Sequence, residues 1–236
     1  MLYLVTGCRG GIGLEIVREL ARDSSNTVIA VVRRLDSDIT SLEAIKNTNT
    51  TQVHLLGCDV SSADSVKKLA SSVGEFLGPV KIDRLINNAA ILGWREETSL
   101  NLSTDALLSH ITTNVMGPAM VVQNLLPYLA PQAVIANITS GAGSMGLLSA
   151  GRIKAENTPY GISKAALNML TIHQAKNLPE KTVVCIDPGH VKTEMGGPNA
   201  VLEVPDSARG VLGVISNLSQ QSTGSFLLYN GTKLPW

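Results

Sequence analysis

Apolar residues in this chain cluster into seven short runs: LYLVT (2–6), TVIAVVR (27–33), TQVHLLG (51–57), DRLINN (83–88), AVIANIT (133–139), TVVCID (182–187) and GSFLLY (224–229). Most are near-continuous and rich in β-branched or aliphatic residues, as expected of strands in a parallel sheet covered on both faces. Amphipathic stretches at 11–22, 62–76, 104–129, 158–177 and 206–218 predict the covering helices. The third contains Gly117-Pro118, where the backbone is expected to kink, and Pro127 near its end. Alternation of short strands with helices predicts a doubly wound α/β fold with helices on both faces of the sheet. No internal repeat, charge block or low-complexity linker interrupts the pattern, so residues 1–236 are expected to form a single domain.

Composition narrows what such a domain can bind. With 44% hydrophobic and 16% charged residues among 236, the chain can bury a large core without staples. Its 19 Lys and Arg balance 19 Asp and Glu, which leaves no basic stripe for nucleic acid. Small molecules or other protein chains are the expected partners. Cys8, Cys58 and Cys185 show no CxxC pairing and no histidines at ligand spacing, so they read as buried reduced thiols and no metal site is expected. The first apolar run breaks at Thr6-Gly7, too short for the core of a signal peptide, and no segment approaches the length that spans a bilayer. A cytoplasmic protein away from membranes is the expectation.

Three loops carry candidate chemistry. TGCRGGIG (6–13) follows the first strand and places Gly7, Gly11 and Gly13, with an extra Gly10, in a GxxxGxG pattern rather than GxGxxG. Glycines let a backbone approach a pyrophosphate, and the helix starting near Gly11 and Ile12 offers unpaired N–H groups at its positive end. Tight packing alone is the competing explanation. The second strand ends in Arg33-Arg34 where an NAD site usually carries Asp or Glu; a guanidinium suits a 2′-phosphate, and Arg9 can close on the same group. NADP(H) is therefore expected over NAD(H), unless these arginines are merely solvated. In TPYGISKAALNML (158–170), Tyr160 and Lys164 stand four apart, on one helix face, an arrangement suited to moving a proton.

TGCRGGIG, Asp59-Val60, NNAA (87–90), Asn114, Ser140, YGISK (160–164) and PGHVKT (188–193) in this order resemble the short-chain dehydrogenase/reductase family over nearly the whole chain. The resemblance implies a seven-stranded Rossmann fold, NAD(P)(H) and hydride transfer at a carbonyl or alcohol. DPGHVKTEMGG (187–197) and the ending GSFLLYNGTKLPW (224–236) are most similar to the group of C-factor-like and sniffer-like carbonyl reductases and fungal ketoreductases such as norsolorinic acid ketoreductase. By resemblance Tyr160 is the general acid, Lys164 favours its phenolate and binds the nicotinamide ribose, and Ser140 hydrogen-bonds the substrate oxygen, with Thr139, Ser144 and Ser149 as rivals. Asn114 is implied to hold a water linking Lys164 to solvent. Asp59 and Val60 are implied to meet the adenine, Asn88 and Ala89 the adenine ribose, and Pro188, Gly189, Val191 and Thr193 the nicotinamide carboxamide. His190 is given no catalytic role.

The loops 141–159 and 194–206, with Ile91, Leu92 and Trp94, are expected to form a largely apolar substrate pocket beside the cofactor, within the same domain. The expected activity is NADPH-dependent reduction of a ketone, aldehyde or quinone. An NAD-linked secondary alcohol dehydrogenase and a non-catalytic NADP-binding regulatory module are the alternatives. Pairing through helices 104–129 and 158–177 is expected to give a homodimer or homotetramer.

Overall fold

The computed structural model describes residues 1–48 and 52–236. Strands β1 Leu2–Thr6, β2 Thr27–Val32, β3 Gln52–Gly57, β4 Ile82–Asn87, β5 Leu129–Ile138, β6 Thr182–Asp187 and β7 Phe226–Leu228 form one parallel sheet in the order β3-β2-β1-β4-β5-β6-β7. Helices α1 Gly11–Leu20, α2 Thr40–Thr48, α3 Ala63–Leu77, α4 Thr104–Ile111, α5 Gly117–Leu125, α6 Met145–Ser149, α7 Thr158–Asn177 and α8 Val204–Ser216 connect the strands. Among the described residues no helix is long and apolar enough to cross a membrane.

Side chains alternate between the faces of a strand, so each apolar run feeds two cores. Tyr3 and Val5 of β1 pack with Val28, Ala30, Ile86 and Val184 against Ile16 and Leu20 of α1 and Val211 and Ile215 of α8. Leu2 and Leu4 face the other way, with Ile29, Leu85, Ile135 and Val183, toward Val66 and Leu69 of α3 and Val121 and Leu125 of α5. Burial on both faces is why these strands read as continuous rather than alternating apolar runs. Truncating a fully buried side chain such as Leu85 to alanine should cost about 2–5 kcal/mol.

The predicted helix 104–129 is not one helix. After α4 the backbone widens into a π-helical turn at Thr112–Met116, in which Gly117 N–H reaches back to Thr112 O, and α5 restarts with Pro118 in its first turn. Proline lacks an N–H and crowds the preceding turn, so the regular α pattern cannot run through this point. The helix ends at Leu125. A short 3₁₀ turn, Leu126–Tyr128, holds Pro127, and β5 begins at Leu129, four residues before the predicted 133. Pro131, with no N–H to donate, falls where the β4–β5 register is irregular.

β1, β6 and α7 keep their predicted bounds, and the remaining boundaries move by at most two residues, α8 starting at Val204 rather than 206. Helix α6 falls in a segment expected to be a loop, and α2 in one to which the sequence pattern assigns no element. Thr51 of the predicted third strand lies outside the described residues. Cys8, Cys58 and Cys185 are buried and unpaired, as expected.

Candidate active site

Where strand order reverses, the ends of β1 and β4 open a cleft of about 1210 Å³. Its rim is made by the turn after β1, which packs on the turn after β4. Gly7 adopts φ +73°, and a Cβ there would stand 2.7 Å from Ala89 Cα; a Cβ on Gly13 would lie 2.4 Å from Gly7 O. Asn88 Nδ2 donates to Thr6 O at 2.9 Å and to Gly7 O at 3.1 Å, so its amide staples the two turns together. Those two glycines serve protein packing. Gly10 differs, since nothing lies within 4 Å of a Cβ built on it. Beyond it, the N–H groups of Gly11, Ile12 and Gly13 precede the first bond of α1, from Leu14 N–H to Gly10 O. With no acidic residue in the first turn of α1, this rim is receptive to an anion.

Arg9, Arg33 and Arg34 line the cleft and are exposed. Arg34 is engaged: its Nε and Nη2 donate to Asp36 Oδ1 and Oδ2 at 2.9 and 2.7 Å, and this hydrogen bonding holds the Asp36 carboxyl below its ordinary range. Asp59 and Val60 also line the cleft. Asp59 Oδ1 accepts from the N–H and hydroxyl of Ser61, at 3.0 and 2.6 Å, while Oδ2 has no hydrogen-bond partner among the described residues.

The cleft floor comes from β5 and α7. Lys164 is 2% exposed and its Nζ donates to Ile138 O at 2.8 Å; burial lowers its pKa to about 8. That Nζ stands 5.6 Å from the centroid of the Tyr160 ring, one helical turn earlier. Burial pushes the phenol well above its ordinary pKa and Asp187 adds to the rise, while a hydrogen bond from the Ser140 side chain and the charge of Arg95 oppose it. Tyr160 therefore keeps its proton at neutral pH.

Of the four hydroxyls weighed for the substrate oxygen, Ser140 is the one whose side chain lowers the Tyr160 pKa; its Oγ accepts from Ala142 N–H at 3.2 Å. Thr139 Oγ1 turns inward and donates to Asn168 Oδ1 at 2.6 Å. Ser144 donates to Pro235 O at 2.6 Å and Ser149 to Gly146 O at 3.3 Å. Asn114 is buried in the π turn: its Nδ2 donates to Ile91 O (3.0 Å) and Ser163 Oγ (2.9 Å), and its Oδ1 accepts from Ile91 N–H (2.8 Å). Both amide hydrogens are committed, while Oδ1 keeps a second lone pair beyond its bond from Ile91 N–H.

Pro188 and Thr193 line the cleft, and the Thr193 methyl approaches Gly11. Gly189 and Val191 lie behind that wall: Gly189, at φ +84°, packs toward Leu202 and Tyr229, and Val191 is buried and paired with Leu202. His190 is exposed and bonds Gly196 O at 2.9 Å.

Three residues were not anticipated. Asp187, at the end of β6, accepts from Gly189 N–H on Oδ1 and from Gly141 N–H on Oδ2, both at 2.8 Å, tying the turn that carries Ser140 to the turn that carries Pro188. Burial raises its pKa. Its signal was visible as one carboxylate closing an apolar strand before Pro-Gly. Thr113 lines the cleft beside Asn114. Arg95 is exposed, and its Nη2 donates at 2.7 Å to the carbonyl of Met195, a residue of the cleft wall.

Residues 2–200 match the short chain dehydrogenase family. The chain belongs to that family. It is an oxidoreductase acting between carbonyl and alcohol with a nicotinamide cofactor, as the ordered motifs imply. The C-signal protein of Myxococcus xanthus is 41% identical over 164 residues, which is 67% of this chain and 94% of that protein. Among solved structures, NADPH-bound carbonyl reductase from chicken fatty liver is 35% identical with a TM-score of 0.90, over 99% of this chain and 98% of that one. Carbonyl reductase Sniffer of D. melanogaster is 29% identical with the same TM-score and the same coverage. A dinucleotide fits the residues present: Gly10 leaves its approach clear and, among the described residues, the N–H groups of Gly11, Ile12 and Gly13 are unpaired and the buried Lys164 ammonium has one acceptor for three donors.

Proposed function

We propose that this protein is an NADPH-dependent carbonyl reductase in which Tyr160 supplies the proton. The observation that carries the reading is the joint placement, in one cleft, of Tyr160 and a buried Lys164 with Arg9, Arg33 and Arg34. Bound NADPH supplies a hydride to the carbonyl carbon. Ser140 holds the carbonyl oxygen, and Tyr160, protonated at neutral pH, donates to that oxygen as it gains charge. Lys164 offsets the charge left on the phenol and offers its free N–H donors to the cofactor. Asn114 positions both ends of the site by holding Ile91 to α7. Asp59, Asn88, Ala89, Pro188 and Thr193 shape the cofactor walls, with Gly189 and Val191 behind them.

The arginines support NADPH through charge-assisted bonding to a 2′-phosphate. The Arg34–Asp36 pair favours a second reading, an NAD-linked alcohol dehydrogenase, because Asp36 occupies one guanidinium. One domain carries both sites. Exposed Leu108 and Met116 beside Ile162 and Met169 of α7 support pairing of two copies through these helices. Three buried, unpaired thiols accord with a reducing cytoplasm.

The test follows oxidation of NADPH and of NADH at the nicotinamide absorbance with aromatic ketones, quinones and aliphatic aldehydes. Turnover with NADPH should fall about 10²–10⁴-fold in Tyr160→Phe. Normal turnover by that variant would remove the mechanism; equal efficiency with NADH would remove the cofactor assignment.

A further inference from the structure

Against Met195 of the cleft wall stands an exposed cation, Arg95, that reduction of a neutral carbonyl does not require. Arg95 lies in the loop after β4, next to Trp94, which takes φ +48°, a conformation uncommon for a bulky side chain. The Trp94 ring meets His110 edge-on at 5.8 Å between centroids, and His110 meets Tyr160 at 6.3 Å. His110 is fully buried and locked, with Nδ1–H donating to Ala106 O (2.7 Å) and Nε2 accepting from Gly93 N–H (3.3 Å). This aromatic series fixes the loop beside the proton donor.

From that loop the guanidinium crosses to the opposite wall, where Nη2 donates to Met195 O at 2.7 Å, and Met195 lines the same cleft as Tyr160. Nε and Nη1 have no hydrogen-bond partner, and no carboxylate lies within 4 Å of the group, among the described residues. Neighbouring acids do not serve it. Glu97 is spent on the N–H and hydroxyl of Ser103, at 2.9 and 2.7 Å, and Glu194 offers its carbonyl, at 3.5 Å, rather than its side chain. The charge is nonetheless felt at the reacting group, since it opposes the rise in the Tyr160 pKa. Apolar residues precede it in the same loop, Ile91, Leu92 and Trp94, and Ile91 lines the cleft.

We infer that Arg95 is a substrate-binding residue, and that the protein takes carbonyl compounds with an apolar body and a carboxylate or similarly compact anion. The inference rests on the carbonyl reductase reading for the word substrate, though not for the anion site itself. A guanidinium held at one nitrogen and unpaired at the others is oriented in advance, and a carboxylate docking on it forms charge-assisted hydrogen bonds at little entropic cost.

The test has two arms that separate the two claims. Calorimetry in the presence of NADP⁺ compares 4-methylbenzoate with 4-methylbenzamide on wild type, Arg95→Met and Arg95→Lys. Wild type should bind the benzoate about 10-fold more tightly than the amide; Arg95→Met should lose that preference and Arg95→Lys should retain part of it. Equal binding by wild type, or a preference that survives in Arg95→Met, overturns the inference. The second arm compares reduction of 4-carboxybenzaldehyde with that of its methyl ester. The ratio of kcat/KM, acid over ester, should be about 10 in wild type and about 1 in Arg95→Met. If the benzoate preference holds while neither aldehyde is reduced, the anion site stands and the reductase reading falls.

Discussion

Replacing Lys164 by methionine probes the electrostatics of the cleft floor without reference to any substrate. The substitution keeps the length and most of the packing of the side chain and removes its charge. In the unfolded chain the ammonium titrates near 10.5; in the fold, burial lowers that to about 8. Between those values the unfolded chain binds more protons than the native one, so this group makes wild-type stability rise with pH from about 8 to 10.5. Above 10.5 the contribution is complete, and as pH falls through 8 it is lost. At about 1.4 kcal/mol per pH unit, the amplitude is about 3 kcal/mol. The variant has no such titration; Cys185 and Asp187, whose pKa values the Lys164 charge lowers, are the other groups that the substitution shifts. The variant's stability advantage should therefore shrink by about 3 kcal/mol between pH 7 and pH 11. Loss of the bond to Ile138 O adds an offset of about 1.5–3 kcal/mol that does not vary with pH in the variant, so the slope is the test rather than the sign at one pH. Urea unfolding of both proteins without ligand, followed by far-ultraviolet circular dichroism at half-unit steps, reads it directly. A flat difference would show that Lys164 is solvated as well in the fold as out of it, and would remove the electrostatic account of the floor.

Three further perturbations follow from named contacts. Asp36→Asn frees Arg34 from its carboxylate and should lower the KM for NADPH about 2–5-fold, the size of an exposed ion pair, with no matching gain for NADH; an equal gain with both cofactors would separate Arg34 from the 2′-phosphate. Asp187→Asn places an amide donor against the N–H of Gly141 or Gly189, which should cost about 1–3 kcal/mol in chemical denaturation. Because Asp187 helps raise the Tyr160 pKa, the same variant should move the alkaline limb of kcat/KM to lower pH, and an unmoved limb would confine Asp187 to a structural role. Met169→Glu puts a charge on the exposed face of α7, where Met169 is 58% exposed in a single copy, and should turn a dimer into a monomer by light scattering; a wild type already monomeric would dispose of that assembly.

How much of this was legible in the sequence depended on whether a residue's role was local. Strands buried on both faces announced themselves as apolar runs, whereas α2 buries only Leu42 and Ile45 against the core and offered too few apolar positions to be read as a helix. The Gly-rich loop was recognisable, but not the division of labour within it, because whether a glycine faces protein (Gly7, Gly13) or open cleft (Gly10) is decided by the turn after β4, more than seventy residues on. Ser140 and Thr139 could not be separated by type. Their bonds separate them: Thr139 Oγ1 is spent on Asn168, whereas Ser140 Oγ accepts from Ala142 N–H and keeps its own hydrogen to donate. Asp187 and Arg95 act across 46 and 100 residues of sequence and carry no periodic signal.

Those distant ties give the site its chemical character. Burial disfavours charge on each member of the pair at the floor, raising the phenol and lowering the ammonium, so each alone is held toward its neutral form. The same low polarity strengthens attraction between opposite charges, so a phenolate formed as the proton leaves Tyr160 gains more from the Lys164 charge than it would in water. Asp187 works against that gain and Arg95 with it. A substrate whose own anion neutralised Arg95 would raise the cost of the phenolate slightly while fixing the carbonyl against Ser140. Tighter binding with a modest loss in kcat is therefore the kinetic pattern this geometry favours for anionic substrates.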